Sequence, residues 1–208
     1  MTEHEERRIR RSTLLCWLVL LAFTAIEIAI IRGDLLRGPL IEAFAFRDLS
    51  DGIRTLQIPD WRSVSYQFLH AHPFHAAANI ALFLLIAPAL CRKIGGFRWL
   101  IIYLLSGVVG ALAHAAAPGT GGLLVGASGA IYGLLGAGKL WEAMYLIRTT
   151  GPWSRYLTSL FFFAGLNVVM VMVSGGAAAW MAHLGGALAG ALLASLWMPK
   201  GPDGRMII

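Results

Sequence analysis

The chain has 208 residues, 58% of them hydrophobic and only 13% charged, with a formal net charge of +6 and a mean hydropathy of +0.70. A soluble domain of this length cannot hide so much apolar side chain, so a water-soluble globular protein is excluded. Nucleic acid is not the expected partner of the positive charge either. Arg and Lys flank apolar runs instead of interleaving with aromatics, the pattern of lipid headgroup contact and membrane topology.

In chain order, the apolar runs predict an all-α membrane protein of six spans. The first, 14–31, follows the basic start EHEERRIRR; it is too long for a signal-peptide core and no small-x-small cleavage site ends it. A retained span is therefore expected. Residues 32–66 form a long outer connection carrying Leu35, Leu36, Phe44, Phe46 and Trp61. It is too apolar for a loose linker and is expected to lie partly in the membrane interface. Further spans are expected at 67–90, 99–117, 127–147, 156–173 and 178–198, each close to the roughly 20 residues that cross a bilayer. They are separated by CRKIGGFR, APGTGG, RTTGPWSR and SGGAAA. The organisation is thus a basic stretch over 1–13, a six-span unit over 14–198 and a short tail over 199–208.

Charge then orients the bundle. Under six-span threading, Arg7, Arg8, Arg10 and Arg11, then Arg92, Lys93 and Arg98, then Arg148 and Arg155, then Lys200 and Arg205 all fall on one side. The opposite side holds two uncharged loops and the long connection, whose five Arg are balanced by five Asp or Glu. Both termini are expected in the cytoplasm, as in a bacterial inner or plasma membrane protein. Cys16 and Cys91 fall at cytoplasmic span ends, where thiols stay reduced, and support neither a disulfide framework nor a metal knuckle.

With this threading, spans two, four and six all run from outside to inside, and their polar residues cluster at their outer ends. These are His70, His72, His75 and Asn79 on span two, Ser128 on span four and His183 on span six. Polar groups at membrane depth are costly unless buried in protein or lining a wet cavity. Each has an ordinary reading. Ser among the glycines of GASG, or His183 beside the Gly186-x3-Gly190 face, fits simple helix packing. Together they describe two glycine-lined helices close enough for Ser128 and His183 to touch, a hydroxyl nucleophile beside an imidazole base. Among the acids, only Glu27 lies in an apolar span near the outer face, on span one, while Glu142 is near the cytoplasmic end of span four. A Ser–His dyad is therefore expected, with the imidazole held by packing. Tyr132, one helical turn beyond Ser128, is a candidate for that packing or a generic interfacial aromatic. His75 and Asn79, spaced i, i+4, share a helix face and carry N–H donors; with the Ser128 backbone N–H they suit an oxyanion site, or else an interhelical hydrogen-bonding pair. Lys139, about 16 Å along the helix from Ser128, is expected near the cytoplasmic headgroups and able to snorkel.

The ordered set resembles the rhomboid family of intramembrane serine proteases over nearly the whole chain. WRSVSYQFLHAHPFHAAAN is similar to that family's first-loop Trp-Arg followed by its His-x4-His-x3-Asn, at Trp61, Arg62, His70, His75 and Asn79. GASG, with Gly126 and Gly129 around Ser128, resembles its nucleophile motif, and AHLGGALAG its sixth-span motif at His183, Gly186 and Gly190. The resemblance implies a Ser128–His183 dyad and an oxyanion site of His75, Asn79 and the Ser128 N–H. It further implies Tyr132 against the imidazole and His70 as a structural support for the first loop. Transmembrane proteins would be the substrates, within the lipid bilayer, with no metal or other cofactor.

Two rivals are weighed. A transporter or metal-binding membrane protein would use His70, His72 and His75 as ligands, but leaves Ser128 and His183 without roles. A soluble-type α/β-hydrolase would need Gly at position 130, which is Ala, and a preceding strand.

Overall fold

The computed structural model describes residues 3–47, 60–117, 122–174 and 179–198. The centre of the long connection (48–59), the middles of two uncharged breaks (118–121 and 175–178) and the expected tail with Lys200 and Arg205 lie outside the described residues. Eight α-helices and one short strand pair are found among them. Helix α1 spans Glu3–Arg32. It begins well before the expected apolar edge because no Gly or Pro precedes Gly33, whose positive φ of 84° closes it.

The long connection is built, as far as it is described, from short elements. These are α2 (Arg37–Phe44), β1 (Phe46–Arg47) and α3 (Arg62–Ser65), which runs into a 3₁₀ turn at Tyr66–Phe68. Helix α4 covers Pro73–Ile94, starting six residues later than the sequence predicts. Pro73 pre-sets the first turn, and the His72 Nδ1 caps it by accepting the His75 backbone N–H at 3.1 Å. Gly95, at φ 84°, separates α4 from α5 (Gly96–Ala116). Strand β2 (Leu123–Leu124) pairs antiparallel with β1, Phe46 opposite Leu124 and Arg47 opposite Leu123. This pairing, which sequence gave no sign of, ties the long connection to the approach to α6. Helices α6 (Ser128–Thr149), α7 (Ser154–Ser174) and α8 (Ala179–Ala194) complete the bundle.

The tightest packing joins α5, α6 and α8. A Cβ at Gly186 would fall on the Gly129 carbonyl of α6, and one at Gly190 on the Gly133 carbonyl, so the two backbones approach as only glycine permits. Helix α1 lies on α4 and α5 through Phe23, Phe83, Trp99 and Tyr103, whose rings meet edge-to-face or stacked at 5.4–6.1 Å. The same contact buries Cys16 and Cys91 together with their thiols hydrogen-bonded, so these residues, far apart in sequence, are neighbours.

Leu21, Leu85, Phe97, Phe161, Met172 and Leu192 are exposed, a surface suited to lipid rather than water. Three helical stretches, Thr13–Arg32, Pro73–Ile94 and Gly96–Ala116, are long and apolar enough to cross a membrane, and Trp180–Ala194 is apolar but shorter. The Lys139 ammonium meets Glu142 at 2.5 Å, bonds the Ser159 hydroxyl and sits 5.0 Å from the Tyr156 ring.

Candidate active site

Ser128 is the first residue of α6, where backbone N–H groups have no partner within the helix. The approach to it is held by Tyr66. The Tyr66 carbonyl accepts the Gly126 N–H at 3.0 Å, and its hydroxyl donates to the Gly107 carbonyl at 2.7 Å. Gly126 sits at φ 125°, and a Cβ there would lie 2.8 Å from the His75 Cε1 and 3.7 Å from the Ser128 Oγ. The glycine thus keeps open the small space where Ser128 and His75 converge, and no L side chain suits its backbone angle.

The His183 Nε2 stands 2.7 Å from the Ser128 Oγ. Both side chains are buried. The Tyr132 ring stacks on the imidazole with centroids 4.5 Å apart and planes 10° from parallel. Its hydroxyl is within 3.5 Å of the Phe163 carbonyl on α7. The close contact of α6 and α8 through Gly129, Gly133, Gly186 and Gly190 makes the Ser128–His183 distance possible. A hydroxyl facing a neutral ring nitrogen at this distance can lose its proton as it attacks a carbonyl.

The other sequence-derived residues fall into two groups. His75 is buried beside Gly126, close to Ser128. Asn79 is fully buried, but its amide donates to the His75 carbonyl of its own helix at 2.9 Å and makes no bond to Ser128. Away from the serine, Trp61, Arg62 and His70 organise the long connection. Trp61 meets Phe44 edge-to-face at 5.5 Å, and the Arg62 guanidinium lies over the Trp61 ring while its Nε donates to the Ala43 carbonyl at 3.2 Å. The buried His70 ring stands edge-on to Phe23 at 5.7 Å and to His75 at 5.3 Å. The His70 carbonyl accepts from Arg37 at 2.6 Å, and Arg37 also clasps Glu27 at 2.5 and 3.2 Å. Glu27, the one acid expected within an apolar span near the outer face, is therefore paired with the first-loop scaffold and not with His183.

The metal reading of the HAHPFH segment is not favoured. His72 gives its Nδ1 to the α4 cap, and no group of three His, Cys, Asp or Glu among the described residues is arranged to hold a metal ion.

One residue of the site escaped the sequence analysis. The Asn167 Oδ1, from α7, lies 2.5 Å from the His183 Nδ1. The signal that marks it is an amide inside the apolar run AGLNVVMV, a costly polar group at membrane depth that calls for a reason.

Residues 60–200 match the profile of the Rhomboid domain. A Bacillus subtilis protein provisionally named a rhomboid protease is 34% identical over 141 residues, covering 67% of this chain and 68% of the relative. Rhomboid-like protease 1 of Toxoplasma gondii is 32% identical over 138 residues, 66% of this chain and 47% of that protein. RHOMBOID-like protein 1 of Arabidopsis thaliana is 31% identical over 144 residues, 66% of this chain and 34% of that protein. The matched region thus spans less than half of the two longer relatives.

Proposed function

The chain belongs to the rhomboid family and is an integral membrane protein, and we propose that it hydrolyses peptide bonds in or beside the transmembrane helices of other membrane proteins. The observation that carries this reading is the 2.7 Å contact between the Ser128 Oγ and the His183 Nε2, at the N-terminal ends of two glycine-packed helices. In the proposed reaction the Ser128 oxygen attacks the scissile carbonyl while its proton passes to the His183 Nε2. The carbonyl oxygen, now negative, lies toward His75 and the Ser128 backbone N–H, with Asn79 as a further donor after its amide turns. As the C–N bond breaks, the imidazolium returns the proton to the leaving amine. Water then enters from the outer side, His183 takes its proton, and the acyl-enzyme is hydrolysed.

A helical substrate hides its carbonyls in its own hydrogen bonds, so cleavage requires local unwinding. Small, Gly or Pro residues near the outer end of the substrate helix ease it. The proposal includes six spans, formed by α1, α4, α5, α6, α7 and α8 within the unit 14–198, flanked by cytoplasmic segments 1–13 and 199–208. The connection 32–66 then lies outside.

The test is cleavage of a reporter transmembrane protein in liposomes by the purified full chain. Wild type is expected to release the soluble fragment, and Ser128→Ala and His183→Ala to release none while remaining folded. Cleavage at the wild-type rate by Ser128→Ala would remove the proposal.

A further inference from the structure

Both ring nitrogens of His183 are engaged, and only one of the two partners is explained by a serine–histidine pair. A base that accepts the Ser128 proton at Nε2 must carry its own hydrogen on Nδ1, and free imidazole does not hold that tautomer by itself. The Asn167 Oδ1 stands 2.5 Å from Nδ1, in position to accept that hydrogen. Tyr132 stacks on the face of the ring and restrains its tilt, but a stacked ring does not choose between tautomers.

The placement on α7 adds a second point. Phe163 and Asn167 are four residues apart and so share one helix face. The Phe163 carbonyl lies against the Tyr132 hydroxyl and the Asn167 amide against the His183 ring. Both residues that restrain the imidazole are thus tied to one turn of a helix that contributes neither nucleophile nor base.

We infer that Asn167 is a positioning residue for the reaction: it accepts the hydrogen of the His183 Nδ1, fixes the tautomer with Nε2 free, and makes the site a Ser128–His183–Asn167 relay across three helices. The inference rests on the proposed proteolysis for its kinetic consequences, but the tautomer it requires is a property of the resting protein.

The experiment has two arms on the full chain in bicelles. In the first, Asn167→Leu, close in size and apolar, removes the acceptor and leaves the His183 Nδ1 without its partner. The kcat for the reporter substrate is expected to fall roughly ten- to a hundredfold with KM little changed, part of the hundred- to ten-thousandfold typical of a general base. Asn167→Asp, which keeps an acceptor at the same place, is expected to recover much of that loss. In the second arm, nitrogen NMR of labelled histidine reports the His183 tautomer without any turnover. Wild type is expected to show Nδ1–H, and Asn167→Leu a mixture or Nε2–H. Unchanged kcat in Asn167→Leu, or the same tautomer in both proteins, overturns the inference. A wild-type protein that cleaves nothing counts against the proteolysis reading alone, and the NMR arm still decides Asn167.

Discussion

Among individual residues, the proposed reaction gives Ser128 a base side and an oxyanion side, and the two differ in readiness. The base side is assembled at rest, with the His183 Nε2 at 2.7 Å from the hydroxyl. On the oxyanion side, His75 already borders the Gly126 space, whereas the Asn79 amide is held by its own helix at 2.9 Å. If both act only on the charged intermediate, their loss lowers turnover more than substrate binding. One such donor is worth about 2.7–4 kcal/mol, on the order of a hundred- to a thousandfold in rate. His75→Ala is expected at the upper end and Asn79→Ala at the lower end or below, because Asn79 must first give up a backbone bond. Single-mutant kinetics with and without a chelator check this. Chelator-sensitive turnover with an inert Asn79→Ala would revive a metal role for the histidines. The pairing of Ser128 with His183 was legible because small residues and one rare polar group mark each helix. Asn167 was not legible, since a lone amide in an apolar run looks the same whether it meets a neighbouring backbone or a catalytic ring.

Helix edges were read from the apolar runs and were misjudged wherever the apolar run and the helix are not the same thing, even beside Pro73 and Gly95. Helix α1 continues into its charged start because Glu and Arg are good helix formers. Helix α4 waits for Pro73 and the His72 cap although the apolar run begins earlier. The β1–β2 pair was invisible, since two residues on each side carry no periodicity. The glycine face of α8, by contrast, was plain in AHLGGALAG, and it sets a prediction about whole helices. A Cβ at Gly190 would fall on the Gly133 carbonyl, and backbone cannot move aside as a flexible side chain would. Gly190→Ala should therefore push α8 from α6, destabilise the fold by about 1–3 kcal/mol and lengthen the Ser128–His183 contact, so that activity falls more steeply than stability. Gly165 on α7 is the control, with nothing within 4 Å of an added Cβ. Gly165→Ala should leave activity intact and raise stability slightly, by up to about 1 kcal/mol from helix propensity. Thermal unfolding and reporter cleavage on the two variants distinguish a packing requirement from a general intolerance of change. Equal effects of both substitutions would discard it.

For the molecule as a whole, composition declared a membrane protein and the ordered motifs its family, but the direction of the bundle rests on charge alone. Under the proposed threading Arg92, Lys93, Arg98, Arg148 and Arg155 face the cytoplasm, while the long connection faces outward with its charges balanced. The fold carries an independent reason for that arrangement to matter. Ser128 and the α4 cap at His72 lie at the same end of the bundle as α2 and α3, and Arg37 joins α1, α2 and the residues before α4 through Glu27 and the His70 carbonyl. In the proposed reaction, water for the second half-reaction enters at that end. The native thiols cannot report which side this is, because Cys16 and Cys91 are both buried. Exposed positions at opposite ends serve instead: Leu36, at the start of α2, and Thr149, in the last turn of α6. Leu36→Cys is expected to react with a membrane-impermeant maleimide on intact cells, and Thr149→Cys only after the membrane is permeabilised. The reverse pattern would turn the protein over, placing the serine at the cytoplasmic face and directing cleavage to the inner ends of substrate helices.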